Sequence, residues 1–273
     1  MSTLTLTLRP EITERVDMTG LTPDKLQSQS QAAIGKIKLQ VGGKRLALAR
    51  VFKIEGSAKD AELAIKAAKG RLDYIGRAMT AGRITVYGAA GDFLGQGMRN
   101  GHIIARSHTG RWAGRDMRGG TLEILGNAGD YLAAAFPGDT HGMREGLIYV
   151  RGNAGARCGE RMRRGIVIID GDCGIYCGNK MIAGTIMVLG EIGAHIGTGM
   201  KRGTIITGYM PENLPATFND CGEYEPAFLT LLFRQLAASH ASLRELANWP
   251  ARVQRLAGDL AAGGKGEILV MQA

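Results

Sequence analysis

Basic side chains recur at one position of a repeated segment and could together bind an anionic partner. They directly follow a regularly spaced methionine, at Arg99, Arg118, Arg144, Arg163 and Lys201, and Arg115, Arg161 and Lys180 lie close by. If the segments stack about 4.8 Å apart, these charges repel one another unless a negative group is nearby. The pattern therefore predicts a basic row that binds a polyanionic chain or an acidic protein face. A solvated edge that prevents aggregation explains the pattern equally well.

Planar and apolar side chains recur at two other positions and indicate a contact surface. The first position carries Phe93, Trp112, Tyr131, Arg157, Tyr176 and His195, which we call the ring row. The second position, which strand alternation turns away from the core, carries Ile104, Ile168, Met187 and Ile206. Exposed apolar rows usually mark interfaces. We predict a partner interface at Phe93, Trp112, Tyr131, Tyr176, Ile104, Ile168 and Met187; cover of one face by C-terminal helices is the alternative.

No residue pattern predicts a complete active site. The histidines form no HxH or HExxH pair, and there is no GxSxG nucleophile motif; the histidines are His102, His108, His141, His195 and His240. The glycine-rich fragments Gly95–Gly97 and Gly193–Gly199 are interpreted as turns, because similar glycines recur in every repeat. We therefore predict no catalytic residue, no metal and no covalently bound cofactor.

The cysteines are interpreted mainly as core residues. Cys158, Cys173 and Cys177 share repeat positions with leucine, isoleucine and alanine, and free cysteine behaves as a small buried hydrophobe. Cys221 lies outside the repeats and has no assigned role.

A nineteen-residue repeat must position all these side chains. Its methionines are Met79, Met98, Met117, Met143, Met162, Met181 and Met200, and one insertion near residues 134–140 interrupts the period. Glycine follows each methionine by three residues, and apolar residues follow by five and seven, which is the alternation of a strand. A unit this short cannot bury its inner face alone, so the units must stack. The prediction is an all-β fold: one right-handed parallel β-helix with about 19 residues per coil.

The flanking segments are predicted to cap the repeats. Residues 1–78 form an N-terminal cap with a strand at Leu4–Leu8, parts of a degenerate coil at Phe52–Gly56 and Leu72–Met79, and a short helix at Asp60–Lys69. Residues 79–210 form the regular coils. Residues 211–273 form a helical cap and a terminal strand; its helical positions are Leu243, Leu246, Trp249, Val253, Leu256 and Leu260, divided at Pro250.

Composition indicates where the protein is located but does not identify its partner. The formal charge is +9, which suits nucleic acid, an anionic membrane or an acidic protein surface. Neither a signal peptide nor a membrane-spanning apolar run is found, so we expect a cytoplasmic protein without a membrane partner.

The repeat, with its G-x-x-G-x-x-x-G spacing, and the C-terminal segment Ala257–Leu269 resemble the C subunit of formylmethanofuran dehydrogenase over nearly the whole chain. The arginine-rich composition is more similar to the related C subunit of the bacterial formyltransferase/hydrolase complex. The repeat also resembles the C-terminal domain of the glutamate synthase large chain, so the C-terminal segment makes the narrower assignment.

The resemblance implies a non-catalytic scaffold protein in a hetero-oligomer. Such a complex moves a formyl group between tetrahydromethanopterin and methanofuran and releases formate, within the one-carbon metabolism of methylotrophy and formaldehyde oxidation. Methanofuran carries glutamyl residues, so the basic row could hold its anionic tail. No nucleic-acid partner is expected.

Other functions remain open. The chain could be the C subunit of a true molybdenum or tungsten formylmethanofuran dehydrogenase, or a glutamate-synthase-type accessory domain. A polysaccharide-active β-helix enzyme would need clustered carboxylates, and only Asp92 and Asp130, two coils apart, are candidates. A stand-alone nucleic-acid binder would use the basic and ring rows, and its binding would fall steeply with salt.

Overall fold

The apolar pair of each repeat forms a strand of one long parallel ladder. A computed structural model describes residues 3–239, 241–248 and 252–272. Equivalent apolar residues pair directly on neighbouring strands, in the order Ile84, Ile103, Leu122, Ile148, Val167, Ile186, Ile205 and Ile268. Strand neighbours in the regular part are therefore nineteen residues apart, as the period requires.

The strands of the described chain are β1 (Leu4–Leu8), β2 (Val16–Asp17), β3 (Lys38–Val41), β4 (Lys44–Ala47), β5 (Phe52–Glu55), β6 (Glu62–Lys69), β7 (Leu72–Asp73), β8 (Arg83–Ala89), β9 (His102–Ala105), β10 (Arg118–Ile124), β11 (Glu145–Val150), β12 (Ile166–Ile169), β13 (Thr185–Val188), β14 (Arg202–Thr207), β15 (Asn219–Tyr224), β16 (Val253–Gly258) and β17 (Lys265–Met271). The α-helices are α1 (Pro23–Leu26), α2 (Gln31–Lys36), α3 (Leu48–Val51) and α4 (Ala227–Ser239), and short 3-10 helices span Ala241–Asn248 and Leu260–Ala262.

These strands form two sheets. The larger has thirteen strands in the order β15-β16-β17-β14-β13-β12-β11-β10-β9-β8-β6-β1-β5, and the smaller has the order β4-β3-β2-β7. The run from β1 and β6 to β14 and β17 is parallel, whereas β5 and the pair β15 and β16 add antiparallel strands at the two ends. The fold is thus mainly β, as expected from the sequence.

A second parallel ladder runs beside the main one. Isolated bridges join Thr109, Ala128, Ala154, Cys173 and Ile192, again one repeat apart. The inward residues of both ladders belong to one continuous hydrophobic core that runs the length of the repeats. Because each repeat pairs at two places, equivalent positions of successive repeats lie on top of one another.

The repeated methionine and glycine form a packing pair between neighbouring repeats. Gly101 has a φ of +96°, and a Cβ there would lie 2.3 Å from Met79 Cε and 2.7 Å from the carbonyl oxygen of Gly82. Met98 Cε approaches Gly120 in the same way, and Met181 Cε approaches Gly203. The glycine is therefore required both by its positive φ and by the methionine that fills the space beside it.

The N-terminal part differs from the sequence prediction in two places. The predicted helix at Asp60–Lys69 is wrong, because β6 occupies these residues and pairs in parallel with β8, placing Leu63 and Ile65 beside Ile84 and Val86. Burial of this apolar pair in the ladder outweighs the helix propensity of the alanines. Phe52–Glu55 is not part of a coil but pairs antiparallel with β1.

The C-terminal helices lie partly elsewhere than predicted. Of the described residues in the predicted stripe, Leu243, Leu246 and Leu260 lie in 3-10 helices, whereas Val253 and Leu256 lie in β16. Trp249 and Pro250 lie outside the described residues. The predicted terminal strand is present as β17, which continues the parallel ladder beside β14. Among the described residues no helix has the length and apolar character needed to cross a bilayer.

Asp259 fastens this C-terminal part to the last regular repeat. Its carboxylate accepts the N–H of Gly199 at 2.8 Å and the N–H of Ala261 at 2.9 Å. Burial alone would raise the pKa of this carboxyl, but these hydrogen bonds and one from Thr217 outweigh burial and lower the pKa. Ionised Asp259 is therefore favoured in the folded state.

Replacing Asp259 with alanine is expected to lower the free energy of unfolding at neutral pH by about 1–3 kcal/mol, because two backbone donors lose a charged partner. A depressed folded-state pKa adds stability above the unfolded pKa of about 3.9, and that stability is lost as the pH falls through the folded value. Urea titrations across this pH range should therefore show that the free energy of unfolding falls less steeply with pH in the variant than in the parent protein. Equal acid sensitivity of both proteins would contradict this role.

Candidate functional site

One corner of each repeat is built from alternate residues at positive φ. In the repeat that begins at Met79 these are Phe93, Gly95 and Gly97, with φ values of 60°, 68° and 63°. Gly197 and Gly199 lie in the same corner of the repeat that begins at Met181, also at positive φ, so the turn interpretation of these fragments is confirmed. The first position of the corner is not glycine in any of these repeats. It carries the ring row, joined at its N-terminal end by Tyr74, with φ between 55° and 67°.

Neighbouring members of the ring row stack face to face. Centroids lie 4.7 Å apart for Tyr74 and Phe93, 5.3 Å for Phe93 and Trp112, and 4.9 Å for Trp112 and Tyr131. Arg157 continues the row over Tyr176, whose ring lies 4.6 Å from that of His195. A non-glycine residue at positive φ costs about 1–2 kcal/mol, so the stacked repeats must hold each ring in place.

This stacking limits what the ring row can bind. The aromatic rings from Tyr74 to Tyr131 are half-buried and cover one another's faces, so mainly their edges face outward. His195, at the other end of the row, is exposed but stacks one face on half-buried Tyr176. Proteins that bind single-stranded nucleic acid need free aromatic faces on which bases stack. The ring row therefore does not support the nucleic-acid alternative. Its role in a partner interface stays a prediction, in which the partner contacts the edges of the rings.

The two carboxylates considered for polysaccharide chemistry hold backbone in place. Asp92 Oδ1 accepts the N–H of Arg111 at 2.9 Å, and Asp130 Oδ1 accepts the N–H of Ala156 at 3.0 Å. Each carboxylate thus bonds the next repeat in the stack. Asp130 also pairs with Arg111 at 3.3 Å. Their position is explained by the link between repeats rather than by a paired acid and nucleophile.

The outward apolar residues of the later repeats are covered by the chain itself. Ile168 and Met187 are 0% and 1% exposed and pack in a second hydrophobic cluster with Leu229 and Phe233 of α4. Their prediction as contacts to another protein is wrong, because α4 and the 3-10 helix Ala241–Asn248 cover this part of the sheet. Ile104 lies outside that cluster and is half-buried, so it remains a predicted contact.

The basic row is partly neutralised within the chain. Arg118 and Arg144 share Asp116, at 2.9 and 2.7 Å, and Arg115 pairs with Asp139. Residues without an ion pair to the described part of the chain are Arg99, Arg163, Lys201, Arg161 and Lys180. The predicted row is therefore brought together, but its free charge lies at these five positions, of which Arg161 is half-buried.

The insertion that breaks the period forms a loop beside the ring row, and sequence reasoning assigned it no role. Phe136 lies 5.2 Å from the ring of Trp112, and Asp139 accepts a hydrogen bond from Arg115 Nε at 3.1 Å. A cavity of about 290 Å³ separates the loop from Arg157, Glu160 and Arg161. The only signals in the sequence are the seven extra residues themselves and the aromatic residue among them.

Two hydrogen-bonded pairs lie on neighbouring strands of the sheet, where Glu123 of β10 pairs with Tyr149 of β11. His102 Nε2 contacts Glu123 Oε1 at 3.0 Å, and the Tyr149 hydroxyl donates to Asp170. Burial is the main cause that raises the pKa of Tyr149, and Asp170 adds to it; burial also raises the pKa of Asp170. These residue types could exchange protons, but they lie among strand residues without an adjacent serine or cysteine nucleophile in the described chain.

The packing interpretation of three cysteines is confirmed. Cys158, Cys173 and Cys177 are buried, whereas Cys221 is exposed. Hydrogen bonding to Cys158 and burial raise the pKa of Cys173, which keeps its thiol protonated. Within the described residues no group of three or more histidine, cysteine, aspartate or glutamate side chains is arranged to hold a metal ion.

Comparison with known proteins assigns this architecture to a family. The model of the GXGXG motif family matches residues 84–221, which contain the corners described above. The crystal structure of the formyltransferase/hydrolase complex FhcABCD from Methylorubrum extorquens with methylofuran contains a chain that is 36% identical, with a TM-score of 0.90; the match covers 98% of this protein and 100% of that chain. The protein belongs to the family of the formyltransferase/hydrolase complex C subunit.

A curated relative agrees with this family. The C subunit of the formyltransferase/hydrolase complex Fhc of Methylorubrum extorquens is 38% identical over 87 residues. That sequence match spans 32% of this chain and 32% of the relative's length. These matches confirm the resemblance to the C subunit of the formyltransferase/hydrolase complex that the repeat and the C-terminal segment indicated.

Proposed function

We propose that this homologue of the Fhc C subunit is a non-catalytic scaffold of a formyltransferase/hydrolase complex. The observation that carries the proposal is the match over the full length of a chain in the solved FhcABCD complex. In such a complex the formyl group passes between tetrahydromethanopterin and a methanofuran-type coenzyme and leaves as formate. The solved complex holds methylofuran, which supports a coenzyme of this type.

The residues of this chain support a structural role. Its outward carboxylates and rings bond or stack between successive repeats, and the catalytic groups would belong to the partner subunits. The match favours the hydrolase over a redox formylmethanofuran dehydrogenase. A cytoplasmic location is part of the same proposal.

The repeat architecture is proposed to be a right-handed parallel β-helix over residues 79–210, with caps at residues 1–78 and 211–273. Two parallel ladders at the same spacing and one continuous core support this interpretation. A rod of this kind presents long rows of equivalent side chains, which suits a protein that others contact along its length.

Affinity purification of the full-length chain from its native cells tests the scaffold proposal. The expected result is co-elution with the other formyltransferase/hydrolase subunits and with formyl-transfer activity. Elution with molybdenum- or tungsten-containing subunits would assign the redox version instead. Recovery with none of these subunits would overturn the proposal.

The free charges of the basic row are proposed to hold the anionic tail of the coenzyme. Reversing Arg99, Arg163 and Lys201 to glutamate is expected to weaken coenzyme retention by the assembled complex at least about tenfold, because each reversal replaces attraction with repulsion. These three residues are chosen because they lack an ion pair, whereas reversing Arg118 or Arg144 would set a glutamate beside Asp116. Coenzyme content after gel filtration gives the measurement.

The matched control reverses Lys38, Lys44 and Arg45, which are exposed on β3 and β4 and change the net charge equally. The control complex should retain its coenzyme. Equal loss from both triple variants would show a general charge effect, and retention by both assembled complexes would refute tail binding by the basic row.

A further inference from the structure

The insertion loop is held by four contacts, two to the ring row and two to Arg115. Phe136 packs at a tilt against Trp112 at 5.2 Å and against Phe93 at 6.1 Å, and the Arg115 guanidinium lies 4.9 Å above the Phe136 ring. Asp139 accepts a hydrogen bond from Arg115 Nε at 3.1 Å. These contacts fix the position of the loop, so they also determine the size of the space between the loop and the next repeat.

That space is a cavity with a mixed lining. Its volume is about 290 Å³, and its side chains include Tyr131, Phe136, Arg157, Glu160 and Arg161. Ligand pockets usually range from about 300 to 1,000 Å³, so this cavity suits a group the size of one or two amino-acid residues.

The charges around the cavity are matched except for one. Arg115 and Asp139 pair with each other, and Arg157 Nη1 donates to Glu160 Oε2 at 3.0 Å. Arg161 makes no ion pair with the described part of the chain and is half-buried. A half-buried guanidinium without a partner favours a carboxylate ligand, which it can hold by two parallel hydrogen bonds.

The backbone at Arg161 is strained although the fold does not require a side chain there. Its φ is 54°, and the equivalent position is glycine in two repeats, Gly97 and Gly199, and Asp116 and Lys180 in two others. Glycine would adopt this conformation without strain. Replacing Arg161 with glycine therefore removes the guanidinium without adding backbone strain.

We propose that this cavity binds a carboxylate-bearing, amino-acid-derived group such as a glutamyl residue. Arg161 holds the carboxylate, Glu160 accepts an N–H of the ligand, and the Tyr131 and Phe136 rings pack against its methylene groups. Arg161 belongs to the basic row and also lines the cavity, so the two surfaces share this residue. This proposal rests on the proposed function in one respect: the coenzyme tail is the source of the glutamyl group.

Isothermal titration of the full-length chain with triglutamate and with free glutamate tests the site. Triglutamate is expected to bind, and Arg161→Gly should weaken binding at least about tenfold without lowering the thermal midpoint, because glycine relieves the backbone strain. Binding of triglutamate alone would assign a glutamyl chain as ligand, and binding of both would assign single glutamyl groups.

Arg45→Ala is the charge control. Arg45 is exposed on β4 and belongs neither to the cavity nor to the basic row, so its replacement removes one positive charge elsewhere in the chain. It should change triglutamate binding by less than about twofold. Equal weakening by both variants, or no binding to the parent chain, would overturn the cavity assignment. Neither result affects co-elution with the other subunits, so the scaffold proposal is judged separately.

Discussion

Replacing Gly101 with alanine is expected to lower the free energy of unfolding by about 2–5 kcal/mol. The strain of an alanine at positive φ accounts for about 1–2 kcal/mol, and overpacking for about 1–3 kcal/mol. The new Cβ would lie 2.7 Å from the Gly82 carbonyl oxygen, which belongs to the neighbouring strand connection and cannot move aside as the Met79 methyl group can. The shift of the urea midpoint relative to the parent chain measures the effect.

Gly20→Ala separates the two causes. Gly20 has a similar φ of +90°, but a Cβ there would meet nothing within 4 Å. This variant should show only the conformational strain of about 1–2 kcal/mol. If both variants lose the same stability, overpacking against Met79 and Gly82 does not contribute to the cost of Gly101→Ala.

Replacing Leu229 with alanine is expected to destabilise the protein by about 2–5 kcal/mol, as is usual when a fully buried leucine is truncated. Leu229 is 0% exposed and packs with Ile168, Met187 and Ile206 of the sheet. Loss of its side chain would leave a cavity beneath α4 and loosen the cover of those strands. Binding of a hydrophobic dye, together with the urea midpoint, reports both consequences.

Leu231 supplies a control on the same helix. It is 67% exposed, so its replacement by alanine should change stability by less than about 0.5 kcal/mol. An equal effect of both substitutions would mean that the outer side of α4 is buried in the isolated chain as well. If Leu231→Ala instead weakens only assembly with the other subunits, the exposed side of α4 is part of a protein interface.

Much of the repeat could be predicted because it is encoded locally and many times. The apolar pair at alternate positions determines a strand, and the constant spacing determines which residues pair, as Ile148, Val167 and Ile186 do. Buried cysteines could be assigned for the same reason, since each shares its position with apolar residues in other repeats. Repetition also allowed the family resemblance to be recognised.

The site could be predicted only in part, because it depends on contacts between different positions of the repeat. The sequence placed Arg118 and Arg144 in one row, but their shared contact with Asp116 follows from the corner geometry. The sequence also indicated that rings would align, but their mutual stacking depends on the positive φ at each corner.

By itself the sequence determined the period, the strands of the regular repeats and the family of this protein, since these follow from short patterns that recur along the chain. Only the tertiary structure decided the conformation and burial of the segments outside the period. The alanine-rich β6 is a strand because the neighbouring β8 offers it a buried edge, and Ile168 is covered because α4 returns over the sheet. The cavity under the insertion exists because Phe136 and Asp139 reach side chains of an earlier repeat, a contact between residues that no local pattern connects.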